Sequence, residues 1–155
     1  MRHPLLYQVN ARVYLQERSR TIGRQGTFED LPDMVLDELK RLGFEWLYLL
    51  GAWQTGSVAR EISRKNANLR KSCQDCLSDL KDEDIIGSPF AIHAYTVNLQ
   101  FGGDNALAKL RQRLHRRGLK LMLDFVPNHI APDHKWVATH SEYLIEGTEE
   151  VRARE

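Results

Sequence analysis

A chain of 155 residues with 42% hydrophobic content can bury one sizeable core, and its formal charge of +1 gives no global field that would draw it to nucleic acid or to a membrane. No apolar run reaches the roughly 20 residues that a bilayer-spanning helix needs. Gln8, Asn10 and Arg12 interrupt the amino terminus at every second position, which suits a strand and not a signal peptide, so a cytoplasmic protein is expected.

The first predicted element is a strand over Leu5–Leu15, LLYQVNARVYL, where β-branched and aromatic residues mix with polar ones. A basic, glycine-containing loop follows from Ser19 to Gly26. The segment DLPDMVLDELKRLG then carries helix signals at both ends. Asp30 is placed to cap the first turn, and Pro32 is tolerated there because that turn has no partner for its N–H. Leu31, Val35, Leu39 and Leu42 recur at helical spacing, and Gly43 supplies the left-handed stop. The next stretch, FEWLYLLGAW, is continuously apolar from Trp46 to Leu50, as in a strand buried on both faces of a parallel sheet. The first half therefore predicts a βαβ unit.

Residues 57–86 break this rhythm. They are rich in charge, with Ile62, Leu69 and Leu77 as the main large apolar anchors, and predict a solvated excursion of one or two short helices. Cys73 and Cys76 form a lone C-x-x-C inside it. A structural zinc needs four ligands, and a redox pair sits just after a strand, so the pattern predicts two reduced cysteines one helical turn apart. Asp104 then caps NALAKLRQRLHRRG, with Leu107, Leu110 and Leu114 on one face and Gly118 at the stop. Arg111, Arg113, Arg116 and Arg117 make this helix basic and unbalanced. No aromatic residues are interleaved for base stacking, so nucleic acid is not an expected partner, and cations near a helix carboxyl end also suit the macrodipole. The third strand is LKLMLDFV. Three strands separated by helices, with glycine closing each helix-to-strand turn, indicate an α/β chain with a parallel sheet.

In parallel α/β architectures binding groups gather at the carboxyl ends of the strands. The second strand ends in Gly51-Ala52-Trp53-Gln54, and the third in Asp124-Phe125-Val126-Pro127-Asn128-His129. A carboxylate, an amide and an imidazole thus stand together where an apolar strand opens into a loop. Such groups hydrogen-bond a polyhydroxylated ligand, while an aromatic face packs on sugar C–H surface. On local evidence alone, an aspartate at a strand end is as often a structural hydrogen-bond acceptor.

The DFVPNH run at Asp124–His129 resembles the first signature motif of the α-amylase family of glycoside hydrolases, D-x-x-x-N-H after the third barrel strand. GSPFAIHAYTVNLQFGG, Gly87 to Gly103, is similar to the family's approach to that motif, with an aromatic residue, a later Tyr and an F-G turn before the second helix. RQRLHRRGLKLMLDFVPNH matches the family's helix, glycine and strand in register. The likeness extends back through LPDMVLDELKRLGFEWLYLLGAW to LLYQVNARVYL, so it covers most of the chain.

This resemblance implies a partial (β/α)8 TIM barrel: residues 1–155 as the amino-terminal portion of a catalytic barrel, with about the first three strands and their helices. Residues 57–86 are then an inserted excursion after the second strand, and 130–155 the start of the loop after the third. The implied roles are residue by residue. Asp124 organises the sugar site and pairs with an arginine on the next strand, without being one of the three catalytic carboxylates. His129 hydrogen-bonds the sugar cleaved at its anomeric carbon, and Phe90 aligns with an aromatic, usually Tyr, that stacks under it. Asn128 corresponds to a calcium ligand in calcium-dependent members, so calcium is the one cofactor the resemblance brings. Gln54 joins the substrate-binding candidates by its place at the end of the second strand. Two positions depart from the family: Ala94 and Ala91 stand where Asp is common.

The implied activity is cleavage of α-glucosidic bonds in an α-glucan or α-glucoside by retaining double displacement, within carbohydrate metabolism. Such enzymes need a nucleophile and an acid/base carboxylate. In this family these come from the fourth and fifth strands, with a third carboxylate from the seventh. None lies in this chain, so it is expected to be inactive alone. The alternative is a short protein that binds sugars or a partner chain without catalysis; a third reading is an unrelated barrel enzyme sharing only the architecture. On the barrel reading the strands run parallel in the order first, second, third, with Gln54, Asp124 and His129 on one rim and Phe90 beside His129.

Overall fold

A computed structural model describes residues 3–145 and 147–154. Strand β1 (Leu6–Asn10) is followed directly by helix α1 (Ala11–Ile22), so the strand expected to Leu15 stops halfway. The reason lies in Asn10, whose side-chain oxygen accepts the Val13 N–H at 3.2 Å and opens a helix. Ala11 and Leu15, one turn apart, are then buried, while Val13 faces solvent. The loop expected from Ser19 begins only at Gly23, in the left-handed conformation at φ 71°.

Asp30 does not cap the following helix. Its Oδ2 accepts the Thr27 N–H at 2.9 Å and the Thr27 hydroxyl at 3.0 Å, closing a 3-10 turn over Phe28–Asp30, and Arg24 pairs with it at 2.6 Å. Helix α2 (Asp33–Arg41) starts after Pro32 and stops at Gly43, where φ is 87°. Strand β2 (Trp46–Leu50) comes next, then a short strand β3 (Trp53–Thr55).

The charged excursion holds two helices, α3 (Ser57–Lys65) and α4 (Ala67–Cys76), with Cys73 and Cys76 both on α4. Its expected anchors do not anchor: Ile62, Leu69 and Leu77 are exposed, and the buried apolar residue here is Ile85. Strand β4 (Ile92–Val97) leads to α5 (Gly103–Arg116) and β5 (Lys120–Leu123). Asp104 lies inside the first turn of α5 and accepts the Val97 N–H at 2.8 Å, tying the helix to β4 instead of capping it. Short helices α6 (Lys135–Thr139) and α7 (Glu149–Arg154) follow.

β1, β2 and β5 form one parallel sheet in the order β1-β2-β5, with Leu6 opposite Trp46 and Trp46 opposite Lys120. This is the order expected for the first three barrel strands. One face carries the core: Leu47 and Leu49 pack with Leu15, Phe28, Leu36, Phe101, Leu110 and Leu114. β2 is not buried on both faces. Trp46, Tyr48 and Leu50 are half-buried, and Leu6 and Met122, on the same face by register, are exposed, because among the described residues no opposing strands cover that side. Two of the four arginines expected to make α5 unbalanced are paired. Arg113 pairs with Asp33 at 2.7 Å, and Arg117, at the cap of α5, pairs with Asp37 at 2.6 Å, which ties α5 to α2.

β3 and β4 pair antiparallel in a separate small sheet, with Gln54 opposite Ala94 and Thr55 opposite Ile92. The sequence reading has no counterpart for this sheet.

Candidate functional site

The parallel sheet brings the carboxyl ends of β2 and β5 together, and Asp124 is the residue that joins them. It follows β5 immediately and is only 7% exposed. Its Oδ1 accepts the Tyr48 hydroxyl at 2.5 Å, and its Oδ2 accepts the Gly51 N–H at 2.6 Å. Its backbone carbonyl accepts the indole N–H of Trp53 at 2.9 Å. Register explains the match: Tyr48 lies opposite Met122, and Asp124 is two residues further along the same face. The bond to Asp124, then burial, then the aspartate charge, push the Tyr48 hydroxyl up to about 12, so it stays a donor at neutral pH.

Glycine is needed at position 51. Its φ is 76°, and a Cβ there would stand 3.0 Å from the Cβ of Pro89. The loop carrying Phe90 is therefore pressed against the end of β2. Phe90 is half-buried, and its N–H donates to the Ser88 hydroxyl oxygen at 3.2 Å. Around Asp124 the aromatic rings form a row. Trp53 meets Tyr95 edge-on at 5.4 Å, and Tyr95 meets Phe125 at 6.1 Å, with Phe125 77% exposed. The Tyr95 hydroxyl accepts the Val126 N–H at 2.8 Å and donates to the Val126 carbonyl at 3.3 Å, fixing the start of the loop after β5.

That loop continues through Asn128 and His129, both exposed and without side-chain hydrogen bonds among the described residues. It returns to the fold at Ala131, whose N–H donates to the Ile92 carbonyl at 3.0 Å. His134 is buried, and burial, then the neighbouring His93 and Lys135, hold its imidazole below the ordinary range. Its ring meets Trp136 at 5.1 Å, and Trp136 meets Tyr143 at 5.4 Å. Gln54 sits half-buried on β3, away from any side-chain hydrogen bond among the described residues.

Of the sequence candidates, Asp124 is thus built into the rim, and the Phe90 loop packs onto it. Gln54, Asn128 and His129 are not drawn in by any bond among the described residues. Among those residues no group of three His, Cys, Asp or Glu side chains is placed to hold a metal ion. An exposed Asn128 alone does not make a calcium site, so no chemistry is assigned to calcium here. Tyr48, Trp53 and Tyr95 escaped the sequence reading. The alternation of β2 could have found Tyr48, since it places that side chain on the face where Asp124 emerges.

Fold and site define a class: a partial (β/α)8 barrel with a carboxylate fixed at its strand ends. The family described as alpha amylase, catalytic domain, matches residues 36–153. The chain belongs to the α-amylase family of glycoside hydrolases. It is 39% identical to an α-glucosidase of Culex pipiens over 70 residues, 43% of this chain and 11% of that enzyme. An α-glucosidase of Apis mellifera is 38% identical over 61 residues, 39% of this chain and 11% of that enzyme. Among solved structures, an α-amylase from Lactobacillus plantarum superposes with a TM-score of 0.63 at 25% identity, over 94% of this chain and 28% of that one. A maltogenic α-amylase from Thermotoga neapolitana gives 0.62 at 22% identity, over 96% of this chain and 30% of that one. The chain therefore spans about a tenth of the α-glucosidases and under a third of the amylases. No described helix is long and apolar enough to cross a membrane.

Proposed function

We propose that this chain is the amino-terminal portion of a cytoplasmic catalytic barrel acting on α-glucosidic bonds of an α-glucan or α-glucoside by retaining double displacement, with residues 57–86 as an inserted excursion and 130–155 as the start of the loop after the third barrel strand. It carries substrate-site residues, and the catalytic carboxylates belong to barrel strands outside it. The observation that carries this reading is Asp124, held at the carboxyl ends of two parallel strands by Tyr48 and Gly51. Each carboxylate oxygen has capacity for a second hydrogen bond, so Asp124 can hold the rim together and still accept from a sugar hydroxyl. The exposed imidazole of His129 offers a donor and an acceptor to the same ring, and Phe90 offers apolar surface for its C–H face. Gln54 supplies an amide from β3, the short strand that follows β2.

Two measurements test this. Maltooligosaccharides incubated with the isolated chain should not be turned over; hydrolysis abolished by mutating one of the chain's own acids would refute the assignment of catalysis to other strands. Maltotriose titrated against the chain should shift the signals of His129 and Phe90 in NMR spectra. His129→Ala should weaken that binding about threefold to tenfold, the loss of one hydrogen bond. Sugar binding that is indifferent to both His129→Ala and Phe90→Ala would leave a non-catalytic binding protein with its site elsewhere.

A further inference from the structure

The loop after β5 is joined to the excursion at one carboxylate. Asp133 Oδ2 accepts the Ser57 N–H at 2.8 Å, the Ser57 hydroxyl at 3.0 Å and the Val58 N–H at 3.3 Å. A residue 76 positions away thereby supplies the acceptor that the first turn of α3 needs, since the helix's own capping position is Gly56. The glycine and the carboxylate fit each other. A Cβ on Gly56 would stand 2.0 Å from Asp133 Oδ1 and 2.8 Å from the Ala131 Cβ. Burial opposes the ionisation of Asp133, but the bonds from Val58 and Ser57 outweigh it and hold its carboxyl below the ordinary range.

The second oxygen is different. Asp133 Oδ1 is enclosed and has no hydrogen-bond partner among the described residues. An enclosed carboxylate oxygen without a donor is uncommon in folded proteins. The group placed to supply one is the Nδ1 of His93 on β4, 3.8 Å away on a half-exposed ring. Asn128 and His129 lie on the stretch between two anchors, Val126 bonded to Tyr95 and Ala131 bonded to β4.

We propose that Asp133 is a positioning residue: it clamps the loop carrying Asn128 and His129 onto the start of α3, and protonation of His93 tightens the clamp by donating to Oδ1. That the positioned loop serves a sugar site rests on the reading above; the clamp does not. The ionisable groups facing His93 are Asp133 and, with ring centroids 6.5 Å apart, His134, beside Lys135. β3, which pairs with β4, brings only Trp53, Gln54 and Thr55, and the charged residue in the first turn of α3 is Arg60. Protonation would place a positive charge 3.8 Å from the carboxylate, so the clamp is tighter where His93 is protonated and looser where it is neutral.

Water-exchange NMR on the 155-residue chain, without sugar, tests the clamp. From about pH 8 to about pH 5.5, protection of the Ser57 and Val58 amides, corrected for intrinsic rates, should rise about twofold to fivefold, and His93→Gln should abolish that rise. Asp133→Ala should lower the protection about tenfold and shift the ring signals of His129, while Asp133→Asn keeps an acceptor and most of the protection. If Asp133→Ala does not fold, the comparison of wild type with His93→Gln decides alone. Protection independent of pH in the wild type, or unmoved His129 signals in a folded Asp133→Ala chain, overturns the proposal. Maltotriose added afterwards reports separately: failure of the wild type to bind it counts against the sugar site and leaves the clamp result standing.

Discussion

Two regions of this molecule are held by different forces. In the first, β1, β2 and β5 rest on α1, α2 and α5 through a continuous apolar layer that includes Leu15, Leu36, Leu49, Leu110 and Leu114. In the second, every residue of α3 and α4 is half-buried or exposed. Those helices are kept in place by discrete polar contacts: Asp133 at the start of α3, the Arg64 guanidinium on the Ile85 carbonyl at 3.2 Å, and Arg70 paired with Asp82 at 2.7 Å. The first region gains stability in proportion to apolar area removed from water, so every core side chain contributes. The second depends on a few bonds, and most of its surface is free to vary.

The contrast makes its largest prediction in the core. Leu110→Ala, at a position with no exposure, should cost about 2–5 kcal/mol of unfolding free energy in a denaturant titration. A loss below about 1 kcal/mol would mean that the sheet–helix layer is not the main source of stability. Next comes the rim. Tyr48→Phe leaves the buried Asp124 short of one donor and should cost about 1–3 kcal/mol, although it deletes a single atom from a half-buried ring.

The third prediction concerns acid. Arg24 first, with Thr27 also bonding against a burial cost, holds Asp30 at about 2, against an ordinary value of 3.8. Because the folded value is depressed, the stabilisation is present above the unfolded value and is lost as pH falls through the folded one. Asp30→Asn should therefore lower stability at neutral pH, by no more than about 1 kcal/mol because solvent screens the exposed Arg24, and flatten the acid limb of a stability-versus-pH curve below about pH 4. An unchanged acid limb would assign that limb to other carboxylates. The smallest effect is expected in the excursion: Ile62→Ser, on the exposed side of α3, should change stability by less than about 0.5 kcal/mol by thermal or chemical unfolding. A loss of several times that size would show that α3 buries apolar surface and would erase the distinction between the two regions.

The same division decides what was legible. Leu39 on α2, Leu110 and Leu114 on α5, and the apolar run of β2 announce themselves by periodicity, because burial of a helix face or a strand leaves a repeat in the chain. The expected stripe on α2 passed over Leu36, which is fully buried, and included Leu42, which is exposed past the helix end. The helical pair after β3 was legible as one or two short charged helices for a similar local reason. The end of β1 was not. Val13 and Tyr14 favour strands, yet one side-chain bond from Asn10 and the burial of Ala11 and Leu15 turn the segment into a helix. Asp30 and Asp104 both carry the residue type of a helix cap and are used elsewhere, on Thr27 and Val97.

The sequence by itself determined the succession α2, β2, α5, β5 and the motif at Asp124–His129 with the family it points to, and that family implied the parallel order β1-β2-β5. The elements and the motif follow from local patterns that repeat every few residues or stand in one short run. Only the tertiary structure decided that Asp124 is bound by Tyr48 and Gly51, that β3 and β4 make a second sheet, and that Asp133 reaches the start of α3. Each of these is a contact between residues far apart in the chain, whose partners are chosen by where packing puts the backbone and leave no periodic trace in the order of residues.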